Sequence, residues 1–154
     1  MPKTTEQKFT CKVNYEFDIT LENLRSLFCT MGQGSNYWAT DVTIGNIEVE
    51  EDEDGNVWYK EDQDYEHEGC CAWLKELTLD TVIRVEDCED DKHQFKVKDV
   101  LTAIENIISG KTNLNRHDCG EIFQAFATDD LGLIDASIAD SILQITTYNT
   151  LVYG

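Results

Sequence analysis

VIRVEDCEDDKHQFKVKDVLTAIENIISG, residues 82–110, changes its hydrophobic period midway, and that change decides the fold class. Val82, Ile83 and Val85 mark a strand, Glu89-Asp90-Asp91-Lys92 a turn, and Phe95 and Val97 a partner strand close enough for an antiparallel hairpin. From Val97 or Asp99 to Ser109 the period lengthens. Val100, Leu101, Ile104, Ile107 and Ile108 form one helical stripe, and Gly110 closes it. A hairpin that runs straight into an amphipathic helix leaves two apolar faces, and each needs the other as cover.

Upstream, residues 9–19 alternate, with Phe9, Cys11, Val13, Tyr15 and Phe17 on one side, which predicts a half-buried strand. Thr20 is placed to cap a helix whose first turn holds Glu22 and whose apolar residues are Leu21, Leu24, Leu27, Phe28 and Met31. Gly32 and Gly34 end it. Val42, Ile44, Ile47 and Val49 predict a strand with a bulge near Gly45. Asp54-Gly55 signals a hairpin turn before Val57-Trp58-Tyr59. The stretch 60–69 reads as solvated and 70–77 as a short helix. Downstream, 111–118 is a polar loop, followed by helices near 119–128 and 135–147. In the last helix Ile138, Ile142, Leu143 and Ile145 face inward, and the tail is a short strand or a packed end. The sum is an α+β fold, a mostly antiparallel sheet with helices packed on one face. Residues 1–8 are expected to be flexible. Residues 9–154 make one α+β domain with an acidic hairpin insert near 48–68.

Charge sets the partner class. The formal net charge is -19, from 12 Lys and Arg against 31 Asp and Glu. Glu50, Glu51, Asp52, Glu53, Asp54, Glu61, Asp62 and Asp64 lie in a stretch whose one base is Lys60. Glu86, Asp87, Glu89, Asp90 and Asp91 make a second cluster. Such a surface repels bare nucleic acid and anionic membrane, and attracts basic protein surfaces. No apolar run approaches the roughly 20 residues of a bilayer span. The start, Met1 to Lys8, lacks the apolar core of a signal peptide, so an intracellular protein is expected. In a reducing compartment the six cysteines are expected as free thiols, with Cys11 and Cys29 as small core residues. A bond between the adjacent Cys70 and Cys71 would be strained.

Four clusters offer chemistry. Residues 50–61, EEDEDGNVWYKE, place Asp52, Asp54, Gly55 and Glu61 where a calcium loop wants them. Glu50 is too long for the first position, and the entering segment reads as a strand, so an acidic hairpin is the better reading. His67, Cys70, Cys71, Cys88 and His93 are metal-ligand types without the spacing of a zinc module, and no metal is expected. His117, Asp118, Cys119 and Glu121 pair a thiol with an imidazole but lack an orienting third group. They read as a loop, with Asp118 capping the following helix. Gly34, Ser35, Asn36, Tyr37 and Trp38 combine backbone freedom, hydrogen-bonding groups and stacking faces. They form either a ligand or interface site, or a helix end with aromatic core anchors. No catalytic residue and no cofactor is expected.

Three stretches also match a pattern: Gly32-Gln33-Gly34-Ser35-Asn36-Tyr37-Trp38; the acidic turn, strand and helix from Glu86 to Ile108; and Ile134-Asp135-Ala136-Ser137-Ile138-Ala139-Asp140-Ser141-Ile142-Leu143-Gln144 with Val152-Tyr153-Gly154 at the end. Together they resemble a family of small, largely uncharacterised accessory proteins of tailed bacteriophages and prophages. That family has a Gly-Gly-x-x-Tyr-Trp motif, and here either a residue separates the glycines or the first one is shifted. The resemblance spans roughly two thirds of the chain. It leaves out the acidic insert, so the role of the insert is particular to this protein. It carries no catalytic residues. It implies a phage protein in the cytoplasm of an infected bacterial host.

The expectation is therefore a non-enzymatic protein that counters an antiviral defence, of anti-CRISPR or anti-restriction type. Its acidic residues would face a basic nucleic-acid-binding site on a host defence protein. It would bind neither nucleic acid nor membrane directly, and could form a homo-oligomer. The alternatives are a structural phage component or a sponge for a nucleotide immune signal. A sponge would use Gly34 to Trp38, with Arg25, Arg84 and Arg116 as phosphate contacts.

Overall fold

The computed structural model describes residues 10–11, 14–45, 49–51, 53–54, 57–59 and 77–154. Helix α1 is Leu21–Gly34, followed by strand β1, Ala39–Ile44. Strands β2, Val49–Glu51, and β3, Val57–Tyr59, form a two-stranded antiparallel sheet. Strands β4, Val82–Asp87, and β5, Lys92–Lys96, lead into helix α2, Val97–Ile108. Helices α3, Arg116–Ala127, and α4, Ala136–Tyr148, follow, with a short 3-10 turn, Leu131–Leu133, between them. The larger sheet runs β1-β4-β5 and both its pairings are antiparallel. The expected α+β class is observed.

The period change at residues 82–110 becomes β4, β5 and α2 in succession. Ile83 pairs with Ile44 on one side and Phe95 on the other, in one apolar row across the sheet. Ile83, Val85 and Phe95 are buried, whereas Arg84 and Gln94 on the other face are exposed. The buried face joins one core with Val97, Val100, Ile104 and Ile107 of α2, Leu27, Phe28 and Met31 of α1, and Ile138, Ile142 and Leu143 of α4. Each such fully buried aliphatic chain contributes about 1.5–3 kcal/mol.

Helix α1 starts as expected. The Thr20 side chain accepts from the Asn23 N–H at 3.1 Å, and Asn23 Oδ1 accepts from the Thr20 N–H at 3.1 Å. Two ends differ from expectation. Asn115, not Asp118, caps α3, accepting from the Asp118 N–H at 2.9 Å, so the helix begins at Arg116. Gly45, at φ +102°, ends β1 instead of bulging it, and Val49 belongs to the other sheet.

The described residues of the expected N-terminal strand, 10–11 and 14–19, are not in a strand, and Phe9, Lys12 and Val13 lie outside the described residues. Residues 14–20 form neither helix nor strand. Their alternation is satisfied on a helix: Phe17 stacks on Phe126 of α3 at 5.6 Å between centroids, and Tyr15 meets Phe123 edge-on at 5.2 Å. Aromatic packing replaces ladder pairing there. Cys11 is exposed, not core. Cys29 packs against the core as expected but is disulfide-bonded, contrary to the free-thiol reading. Residues 1–8, the stretch 60–69 and the expected helix up to residue 76 lie outside the described residues, and Leu77 has no regular structure.

Candidate functional site

The Gly34–Trp38 motif is the end of α1 and the turn into β1. Ser35 caps α1, and its carbonyl accepts from the N–H groups of Trp38 and Ala39 at 3.2 and 2.9 Å. This tight turn sends three side-chain donors toward one acceptor, Asp140, in the second turn of α4. Ser35 Oγ and Trp38 Nε1 donate to Asp140 Oδ1 at 2.7 and 2.6 Å. Tyr37 Oη and Gln144 Nε2 donate to Oδ2 at 2.7 and 2.8 Å. Asp140 is 5% exposed and, among the described residues, has no cation beside it. Four neutral donors take the place of its lost hydration, which is what a buried carboxyl requires. Burial, and then the bond to Asp140, push the Tyr37 hydroxyl up to about 12.

Gln144 extends the network to the C-terminal segment. Its Oε1 accepts from the N–H groups of Val152 and Tyr153 at 2.9 and 2.8 Å. Tyr153 then stacks on Trp38, 5.4 Å between centroids and 11° between planes. The tail is thus a packed end. Gly34 permits the approach of α1 to α4: a Cβ there would lie 2.0 Å from the carbonyl oxygen of Ala136. Gly32 faces open space.

A second buried carboxyl adjoins the same rings. Asp87, at the end of β4, is 2% exposed. It accepts from the N–H groups of Glu89 and Asp91 at 2.9 and 3.1 Å, which builds the β4–β5 turn. Tyr148 Oη donates to it at 2.8 Å and His93 Nε2 lies 2.9 Å away. The His93 bond foremost holds its carboxyl well below the usual range, against the opposing effect of burial. Burial and the Asp87 bond raise the Tyr148 hydroxyl. Tyr148 also contacts Trp38 and Tyr153, so the two carboxyls are joined through three rings.

These contacts redistribute the residues the sequence singled out. Ser35 and Trp38 are core, with their polar atoms committed to Asp140. Asn36 and Tyr37 are exposed, although the Tyr37 hydroxyl is also engaged. The ligand reading of Gly34–Trp38 thereby loses its main hydrogen-bonding groups. Arg25, Arg84 and Arg116 stand on three separate elements, α1, β4 and α3. Asp87 leaves the solvated acidic cluster. Of the suggested metal ligands, His93 serves Asp87, and the exposed Cys88 thiol lies 3.8 Å from Tyr153 Oη; His67, Cys70 and Cys71 lie outside the described residues. The Cys119 thiol donates to the Leu114 carbonyl at 3.7 Å, and burial raises its pKa, the reverse of what a nucleophile needs.

The acidic candidates are placed in part. Residues 49–51 and 57–59 form the two arms of a hairpin, with Glu53 and Asp54 exposed at its turn. A strand therefore enters the EEDEDGNVWYKE segment, where an EF-hand would have a helix. Glu50 and Glu51 lie on β2; Asp52, Glu61, Asp62 and Asp64 lie outside the described residues. At the β4–β5 turn Glu89, Asp90 and Asp91 are exposed.

Sequence reasoning missed Asp140 and Gln144 as core groups. Their signal was spacing: four residues apart, they share a face with Ile138-to-Ile145 apolar neighbours on a helix buried over most of its surface. No helix among the described residues is long and apolar enough to cross a membrane. No family model, curated protein or solved structure matches the chain.

Proposed function

We propose that this chain is a non-enzymatic phage accessory protein that counters a bacterial antiviral defence by binding a host defence protein. Its acidic surface faces a basic nucleic-acid-binding site on that partner, and it acts in the cytoplasm of the infected host. The phage setting rests on the resemblance of the Gly32–Trp38, Glu86–Ile108 and Ile134–Gln144 segments described above. The observation that carries the mode of binding is the exposed acidic hairpin tip, Glu53 and Asp54, in a chain of net charge -19. Exposed like charges on a short hairpin project a field that steers a basic partner and discriminates against acidic ones. The same charge opposes direct contact with DNA or RNA.

The polar groups that a nucleotide sponge would need at Ser35, Tyr37 and Trp38 are held by Asp140, so the acidic surface is the better-supported site. The test is affinity capture from infected or candidate host lysate at low and high salt, with small molecules extracted from the retained protein. The expected result is a nucleic-acid-binding host protein, released by salt, whose DNA or RNA competes with this chain. A retained nucleotide without a protein partner would reject the proposal.

A further inference from the structure

An open groove of about 1040 Å³ lies between the extended segment 14–17 and helices α2 and α3. Tyr15, Phe17 and Phe123 line its apolar wall, and Gly120 of α3 lies along it. Tyr15 remains 54% exposed despite its contacts with the two phenylalanines. A Cβ on Gly120 would meet no atom within 4 Å, so the helix surface there is open. The carboxyl groups of its described lining are those of Glu16 and Glu105, both exposed, and neither forms an ion pair among the described residues. No Lys, Arg or His is among the described residues that line it.

We propose that this groove seats an arginine-bearing segment of a protein partner. A guanidinium is planar and weakly hydrated, so it stacks on an exposed tyrosine ring while pairing with carboxylates. Lysine, a compact and strongly hydrated cation, suits such a surface less well. A neutral apolar segment would leave Glu16 and Glu105 unpaired. A second copy of this chain would bring a further charge of -19 against them. The groove exceeds what one side chain fills and suits several residues of a bound segment. The inference goes beyond the acidic hairpin as a docking surface and shares with it only the sign of the partner's charge.

The experiment is an amide NMR titration of the full chain with a short, acetylated and amidated peptide that alternates arginine and leucine, and with its lysine and citrulline analogues. The arginine peptide is expected to shift Tyr15, Gly120 and Phe123, the lysine peptide to bind more weakly, and the citrulline peptide not to shift them. Tyr15→Ala weakens binding about threefold, Tyr15→Phe retains it, and Glu105→Gln on the exposed face of α2 weakens it about twofold. Equal binding of the citrulline peptide overturns the proposal. So do shifts confined to the two acidic turns, and that outcome leaves the hairpin reading standing.

Discussion

Replacing Asp140 by alanine should cost a large share of the stability of the fold. The substitution removes the acceptor for four donors at 2.6–2.8 Å. Tyr37 is exposed and its hydroxyl finds water, and Gln144 Nε2 retains the Tyr37 oxygen at 3.1 Å. Ser35 Oγ and Trp38 Nε1 belong to side chains 1% exposed and lose their one described acceptor. At about 1–3 kcal/mol for each buried orphaned donor, the loss is about 2–6 kcal/mol. That is a large fraction of the roughly 5–15 kcal/mol that holds a domain of this size folded. Asp140→Asn keeps the shape and one acceptor oxygen, so it should cost about half as much. Its amide N–H groups confront Gln144 Nε2, and the turn of Gln144 that relieves this releases the Val152 and Tyr153 amides. Urea unfolding followed by tryptophan fluorescence, with an unchanged dependence on denaturant, reads both effects. An Asp140→Ala protein within about 1 kcal/mol of the parent would refute the idea that these bonds compensate a buried carboxyl.

Gly34→Ala should destabilise by more than the roughly 1–3 kcal/mol of ordinary overpacking, because its Cβ meets backbone at 2.0 Å; Gly32→Ala, with nothing nearby, should be neutral or stabilise by up to about 1 kcal/mol, and thermal melts of both variants check the pair. Asp87 has a depressed pKa, so its contribution is present above the unfolded carboxyl value of about 4 and is lost as pH falls through the folded value. The stability gap between the parent and Asp87→Asn, measured in urea across pH, should be open at neutrality and close in acid. Phe17→Ala should cost about 2 kcal/mol through its lost stack on Phe126, while the amides of residues 15–18 exchange quickly in the parent, and slow strand-like exchange there would contradict the packing described.

What the sequence discloses and what it hides follow from the range of the interactions. The stretch 82–110 is legible because its pattern is local: two short alternating runs around an acidic turn, then a stripe at helical spacing. The Thr20 cap is legible for the same reason. Residues 14–19 misled because alternation reports which side is apolar, not whether a neighbouring strand is there. Their partners, Phe123 and Phe126, lie over a hundred residues away in the chain. The Asp140 clamp is likewise long-range, with separations of 102 to 105 residues from its Ser35, Tyr37 and Trp38 donors. One of the two readings of the Gly34–Trp38 motif, a helix end with aromatic core anchors, is what Ser35 and Trp38 form, but the acceptor that gathers their polar atoms, Asp140, was not visible. Asp87 shows the same limit, since nothing in Glu86-Asp87-Cys88-Glu89-Asp90-Asp91 marks the one acid that turns inward.

The account rests most heavily on the acidic surface as a docking site. Its direct test is the salt dependence of affinity for the captured partner, measured for the parent and for a variant with Glu50, Glu51 and Glu53 replaced by Gln and Asp52 and Asp54 by Asn. The account predicts that the parent weakens steeply with salt, that the variant binds at least about tenfold more weakly at low salt, and that the two converge at high salt. Equal affinity of the two proteins across the whole salt range would contradict it.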